Sequence, residues 1–417
     1  MEKFKQLGLS EGILNAIDKA GFSEPSEIQE KTIPLVISGR DVIGSSATGS
    51  GKTLAFGAGI IDKVQRAGGI QALVLTPTRE LAEQVAVNLR KFSFHKGLNV
   101  REIYGGVSME PQIRGLRRAE IVVGTPGRIL DHLKRRTLNL SKVRYLVLDE
   151  ADRMLDMGFI RDVESIIRSC PDNRQTMLFS ATISQEIKEI SDRYMKNPSY
   201  VAVNNQVDPS KLYQVYYDVD PDMKFTLLAH LLKMEKEGVV MVFCNTRRNV
   251  DRLTKALHDQ GIHARAIHGG LSQNKRSSTL QSFHERETLI LVCTDVAARG
   301  LDIKDISHVY NFDIPVTDTD YIHRIGRTAR AGKNGIAISF VSTGDHTEFR
   351  QISKSLNIER INTPKLNKTV SIIFSSNSDR KANRQRGRSP PGRGKGSERG
   401  RPGKRKEGRP RSNFRRR

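Results

Sequence analysis

The sequence predicts an α/β fold of two tandem, doubly wound parallel-sheet domains followed by a basic tail, and three observations carry that expectation. Short continuous apolar runs alternate with helix-length segments, which is how strands covered on both faces read. The alternation pauses once, in the polar stretch Asn204-Asn205-Gln206-Val207-Asp208-Pro209-Ser210, and then restarts. A chain of 417 residues also exceeds what one hydrophobic core usually organises. The expected division is domain 1 over 1–203, a linker over 204–210, domain 2 over 211–365 and a tail over 366–417.

In domain 1 the candidate strands are 41–44, 72–76, 100–104, 121–124, 145–149 and 176–180, with helices over 78–92, 126–135 and 184–195. In domain 2 the strands are 213–219, 239–243, 264–267, 289–293, 309–312 and 336–340, with helices over 224–236, 247–260, 273–286, 320–330 and 344–355. Open parallel sheets gather their chemistry at the carboxyl ends of the strands. Strands of domain 1 do end in small, polar signatures: Pro77-Thr78-Arg79-Glu80, Gly105-Gly106, Thr125-Pro126-Gly127-Arg128, Asp149-Glu150-Ala151-Asp152 and Ser180-Ala181-Thr182. Beyond about Lys368 the composition turns to Arg, Gly, Pro, Ser and Lys, too poor in apolar surface to offset chain entropy, so the tail is expected to be disordered.

The formal charge of +23 is unevenly placed. From Arg380 to Arg417 there are 17 Lys and Arg against Glu398 and Glu407, a net +15, which leaves +8 (52 basic, 44 acidic) for the rest. Such a balance implies a polyanionic partner, although a merely solubilising terminus remains an alternative for the tail. Cys170, Cys244 and Cys293 are odd in number and form no C-x-x-C pair, so buried free thiols are expected rather than disulfides or zinc ligands. No run of roughly 18 apolar residues occurs and Met1 to Gln6 lacks a signal-like apolar stretch, which leads to the expectation of a cytoplasmic protein.

Ser46-Ala47-Thr48-Gly49-Ser50-Gly51-Lys52-Thr53 lies between the first apolar strand and a helix-like segment. Gly49, Ser50 and Gly51 let backbone N–H groups curl inward on a phosphate, while Lys52 supplies an ammonium and Thr53 a Mg²⁺-ligating hydroxyl. The usual first glycine of such a P-loop is Ser46 here. Asp149 ends an apolar strand and can hold Mg²⁺ opposite Thr53, and Glu150 can then position or deprotonate a water. A solvated acidic loop would not explain that placement.

In order along the chain, Gly21-Phe22-x-x-Pro25-Ser26-x-Ile28-Gln29, Ala47 to Thr53, Pro77 to Leu81, Thr125 to Arg128, Asp149 to Asp152 and Ser180 to Thr182 resemble the motifs of DEAD-box RNA helicases of superfamily 2. The second half agrees, with Val242 to Thr246, Gln273-x-x-Arg276, Thr294 to Asp302 and His323 to Arg330. The resemblance covers about residues 4–345 and implies two RecA-like domains, ATP with Mg²⁺, and RNA.

Within that resemblance Gln29 would read adenine, with Phe4 packing on the base. Thr48 joins the phosphate loop, and Gly300 and Asp302 lie at the nucleotide on the second domain, Asp302 at the ribose. Arg327 and Arg330 fall one helical turn apart and can reach the γ-phosphate as arginine fingers when the second domain closes. His323 would link that helix to the acidic signature. Asp152, Ser180 and Thr182 would couple nucleotide state to strand separation, although the two hydroxyls also suit a cap for the helix at Ser184.

Arg79, Gly106, Thr125, Gly127 and Arg128 in domain 1 and Thr246, Gly270 and Thr294 in domain 2 fit phosphate oxygens and 2′-hydroxyls rather than bases. The expected activity is RNA-stimulated ATP hydrolysis with local, non-processive unwinding, by a monomer whose tail adds non-specific RNA affinity. An ATP-gated RNA clamp uses the same residues, and a DNA translocase is disfavoured by the motif set.

Overall fold

The computed structural model describes residues 1–46, 49–203, 209–235, 238–298, 301, 303, 305–329, 333–354 and 356–367. Lobe 1 runs α1 (Glu2–Lys5), α2 (Glu11–Lys19), α3 (Glu27–Ile37), β1 (Val42–Ser45), α4 (Lys52–Lys63), β2 (Ala72–Leu75), α5 (Arg79–Ser93), β3 (Val100–Ile103), α6 (Met109–Leu116), β4 (Ile121–Gly124), α7 (Pro126–Lys134), β5 (Tyr145–Leu148), α8 (Ala151–Asp156), α9 (Ile160–Arg168), β6 (Gln175–Ser180), α10 (Gln185–Tyr194) and β7 (Ser199–Ala202). Lobe 2 runs β8 (Leu212–Asp218), α11 (Lys224–Met234), β9 (Val239–Phe243), α12 (Arg247–Asp259), β10 (Ala264–Ile267), α13 (Gln273–His284), β11 (Ile290–Cys293), α14 (Asp295–Ala298), β12 (Ile306–Asn311), α15 (Asp318–Ile325), β13 (Gly335–Val341), α16 (His346–Ser353) and β14 (Glu359–Ile361).

Each lobe is built on a seven-stranded sheet, ordered β3-β4-β2-β5-β6-β1-β7 and β10-β11-β9-β12-β13-β8-β14, and every recorded strand pair is parallel. The continuous apolar runs follow from this, because alternate residues must bury on opposite faces. Ala72, Val74, Val147, Met177 and Phe179 enter one core of lobe 1, and Leu73, Leu75, Leu146, Leu148 and Leu178 enter the other. Val240, Val242 and Val292 divide in the same way from Met241, Phe243 and Leu291 in lobe 2. Helix starts are set by side-chain caps: Thr78 accepts from Leu81 N–H, Thr246 from Asn249 N–H and Ser272 from Lys275 N–H.

The segment 320–330 departs from the single helix expected for it. Helix α15 ends at Ile325 with Gly326 as its cap. Thr328 Oγ1 then donates to the Ser307 carbonyl at 3.1 Å and Ala329 takes φ +53°, so Arg327 sits in a turn past the end of α15. Edge strands β7 and β14 escape a sequence reading because they are largely exposed and carry no buried apolar run. All three cysteines are buried free thiols. Among the described residues no helix is long and apolar enough to cross a membrane, and no cluster of three or more His, Cys, Asp or Glu is placed to hold a metal ion. Thr48, Gly300, Asp302 and Arg330, residues 204–208 of the linker and the tail from 368 onward lie outside the described residues.

Candidate nucleotide and nucleic-acid site

The phosphate loop, the acidic signature and Ser180 to Thr182 stand at the carboxyl ends of β1, β5 and β6. The phosphate loop leaves β1 and enters α4 through Gly49 at φ +84° and Gly51 at φ +92°, values a side chain resists. A Cβ on Gly51 would also lie 2.2 Å from Gln29 Nε2. Gln29 is buried at the start of α3, where its Oε1 accepts from Ser26 N–H at 3.0 Å and its Nε2 donates to the Gly51 carbonyl at 3.1 Å. Ser26 Oγ donates to the Ser50 carbonyl at 2.8 Å. Gln29 therefore touches the loop itself. Ser46 Oγ lies 3.0 Å from Ser50 Oγ, and Lys52 Nζ donates to the Ser46 carbonyl at 3.2 Å, so Ser46 closes the loop across its mouth. Thr53 follows Lys52 in the first turn of α4, and Phe4 is fully buried in the core of lobe 1.

The acidic signature begins where β5 ends. Asp149 is buried and its Oδ1 makes no hydrogen bond. Burial pushes its carboxyl up to about 6, against the pull of the Lys52 ammonium. Glu150 adopts φ +54°, ψ +52°, a left-handed backbone that L-residues occupy at a cost of about 1–3 kcal/mol. Its Oε2 accepts from Arg153 Nη1 at 2.8 Å. Asp152 Oδ2 accepts from Ala181 N–H at 3.1 Å, Thr182 N–H at 3.0 Å and Thr182 Oγ1 at 3.1 Å, while Asp152 N–H donates to Ser180 Oγ at 3.2 Å. Ser180 and Thr182 thus knit the end of β6 to the acidic signature, and the cap of α10 is Ser184.

On lobe 2, Arg324 is buried and clamps Asp295 with Nε at 2.6 Å and Nη2 at 2.8 Å, reaching Asn245 Oδ1 at 2.7 Å and the Asp313 carbonyl at 2.6 Å as well. His323 precedes it at the rim of a small cleft also lined by Phe243, Asp295, Ala298 and Arg327. Arg327 donates from Nη1 to the Leu301 carbonyl at 2.8 Å. Asp295 and Arg324 fall within motifs the sequence shows, and Arg153 lies outside them, but the sequence assigned none of the three a role of its own, because their partners come together only in the fold.

The other half of each sheet carries the second set. Arg79 opens α5 and lies over the Gly105–Gly106 loop, where a Cβ on Gly106 would come within 1.9 Å of its Nη1. Arg128 donates through Nη1 and Nη2 to the Val107 carbonyl, both at 3.2 Å. Thr125 caps α7, and Gly127 faces open space. In lobe 2, Thr246, Gly270 and Thr294 occupy the ends of β9, β10 and β11, the counterparts of β2, β3 and β4. The lobes touch here, with Arg276 Nη2 2.7 Å from Glu80 Oε1 and both side chains buried.

Residues 26–190 match the family model of the DEAD/DEAH box helicase, and residues 223–332 that of the helicase conserved C-terminal domain. The chain is 45% identical over 375 residues to the DEAD-box ATP-dependent RNA helicase CshA of Bacillus cereus, covering 89% of this chain and 71% of that protein. This chain belongs to the DEAD-box RNA helicases.

As a DEAD-box protein it is an ATP-dependent RNA helicase, an RNA-dependent ATPase with RNA as its partner. The ATP-dependent RNA helicase CshA of Listeria monocytogenes is 49% identical over 358 residues, covering 85% of this chain and 69% of that one. Among solved structures, Saccharomyces cerevisiae Dbp5 bound to RNA and ADP BeF3 matches the DEAD-box fold with a TM-score of 0.78 at 31% identity, covering 86% of this chain and 95% of that one. The DEAD box protein of Methanococcus jannaschii scores 0.52 at 43% identity, over 86% and 98% of the two chains.

Proposed function

We propose that this helicase opens short RNA duplexes locally, by closing lobe 2 over ATP and RNA held on lobe 1, and that hydrolysis resets it. The unpartnered, buried Oδ1 of Asp149 carries this reading. A carboxylate oxygen taken out of water without a donor fits a cation. Asp149 and Thr53 would hold Mg²⁺, which when bound neutralises charge on the phosphates.

Lys52 and the N–H groups of Thr48, Gly49, Ser50 and Gly51 bind the phosphates, and Gln29 faces the base, whereas Phe4, fully buried in lobe 1, presents no open face for the base to pack on. Glu150 accepts a proton from the attacking water as its oxygen bonds to the γ-phosphorus and the bond to ADP breaks. Arg327 and Arg330 stabilise the charge that develops in that step, and Gly300 and Asp302 hold the ribose side. Asp152, Ser180, Thr182 and His323 pass the nucleotide state to the lobe interface. Arg79, Gly106, Thr125, Gly127, Arg128, Thr246, Gly270 and Thr294 hold the RNA backbone, so binding is independent of sequence and falls steeply with salt.

Domain 1 over 1–203, the 204–210 linker and domain 2 over 211–365 are the moving parts, working as a monomer in the cytoplasm. The basic tail over 366–417 adds non-specific RNA affinity. In the alternative, an ATP-gated RNA clamp, strand separation is incidental. Glu150→Gln tests the scheme: it is expected to bind ATP and RNA and to stay closed, with slow RNA release. Rapid release in ATP contradicts the role given to Glu150. Long RNA residence in wild type with slow turnover and no strand separation favours the clamp.

A further inference from the structure

A line of side chains crosses from lobe 1 to lobe 2 that neither phosphate chemistry nor backbone recognition explains. Tyr104 follows β3 directly before Gly105–Gly106, and its hydroxyl donates to Glu83 Oε1 on α5. The same oxygen accepts from Gln273 Nε2 on α13 of lobe 2, 3.3 Å away. On the other side, the Tyr104 carbonyl accepts from Gln112 Nε2 at 3.0 Å. Gln112 Oε1 lies 3.3 Å from His132 Nε2 on α7, and His132 Nδ1 lies 2.8 Å from Thr137 Oγ1. The helix that Thr125 caps is thereby joined through Tyr104 to the second lobe.

Burial, opposed by the bond from Tyr104, raises the Glu83 carboxyl, and burial with that same bond raises the Tyr104 hydroxyl. The phenol accordingly stays protonated as the donor at neutral pH. We propose that Glu83 and Tyr104 are positioning residues that couple RNA at the Gly105–Gly106 loop to the docking of lobe 2 on Gln273. This rests on the reading that the loop holds RNA.

A ligand shifts a conformational equilibrium only through contacts that differ between the two states. The Glu83–Gln273 bond meets that condition, because it joins helices of different lobes and is lost when they part. The Tyr104 hydroxyl aims the carboxylate for it, and Tyr104 shares its backbone with the glycine loop. RNA that fixes the loop fixes the tyrosine, and the tyrosine fixes the acceptor.

The test is the factor by which saturating single-stranded RNA tightens binding of a fluorescent non-hydrolysable ATP analogue to the full chain. Tyr104→Phe and Glu83→Ala are each expected to reduce that factor about fivefold, the low end of measured coupling energies. Their double variant should lose no more than either alone. Glu83→Gln keeps an acceptor oxygen and should retain most of the factor. An unchanged factor in Tyr104→Phe, or single effects that add, overturns the relay. So does an equal loss of nucleotide affinity with and without RNA, which a merely structural role would give. Arg79→Ala, read as RNA affinity in the same titration, reports separately on the RNA surface itself.

Discussion

Arg153 Nη1 lies 2.8 Å from Glu150 Oε2, with side-chain exposures of 3% and 4%. The carboxylate assigned to water activation thus carries its own buried counter-charge, one turn along α8. Removing one partner of a buried pair leaves the other charge uncompensated, which costs about 3–5 kcal/mol. Arg153→Met is expected to destabilise lobe 1 by roughly 3 kcal/mol, and urea denaturation followed by circular dichroism checks it.

Gln29→Ala removes the acceptor for Ser26 N–H and the donor to the Gly51 carbonyl. Two hydrogen bonds at about 1 kcal/mol each are enough to loosen the phosphate loop. RNA-free nucleotide affinity should fall at least tenfold, as measured by titration with a fluorescent ATP analogue.

Gly106→Ala places a Cβ 1.9 Å from Arg79 Nη1 at a position of φ +82°. The backbone strain costs about 1–2 kcal/mol, and the guanidinium must leave its place. RNA affinity should weaken several-fold and the salt slope should shrink by about one charge, with RNA-free nucleotide affinity unchanged.

The first half of this site was far more legible than its wiring. Glycine, lysine and carboxylate types at fixed spacing state their chemistry directly, so the phosphate loop, Asp149 and Glu150 could be placed by residue. Continuous apolar runs likewise gave the buried strands, because parallel sheets bury both faces. Contacts that depend on tertiary neighbours were silent. Arg153 and Arg324 differ from surface arginines only in what folds over them, and Glu83 meets Gln273, 190 residues away. The expected helix over 320–330 ends at Ile325 with Gly326 as its cap, and Thr328 beyond it bonds to the Ser307 carbonyl, a tertiary contact that local periodicity does not contain.

Asp345 offers a pH test in lobe 2. Burial alone would raise its carboxyl, but the Lys224 ammonium at 2.7 Å and donors from Ser342 outweigh that and hold it below the usual carboxylate range. A depressed folded value contributes stability above the unfolded value and loses it as the pH falls through the folded one. Thermal stability should therefore drop as the pH falls below about 4. Asp345→Asn should be less stable at neutral pH by about 3 kcal/mol and lose that part of the acid dependence, as thermal melts across pH will show.

On the proposed mechanism one catalytic site is assembled from both lobes. RNA-stimulated phosphate release by Arg327→Ala tests it most directly, with ATP and RNA affinities measured beside it. Turnover should fall roughly a thousandfold with both ligands still bound. Turnover at the wild-type rate would contradict it.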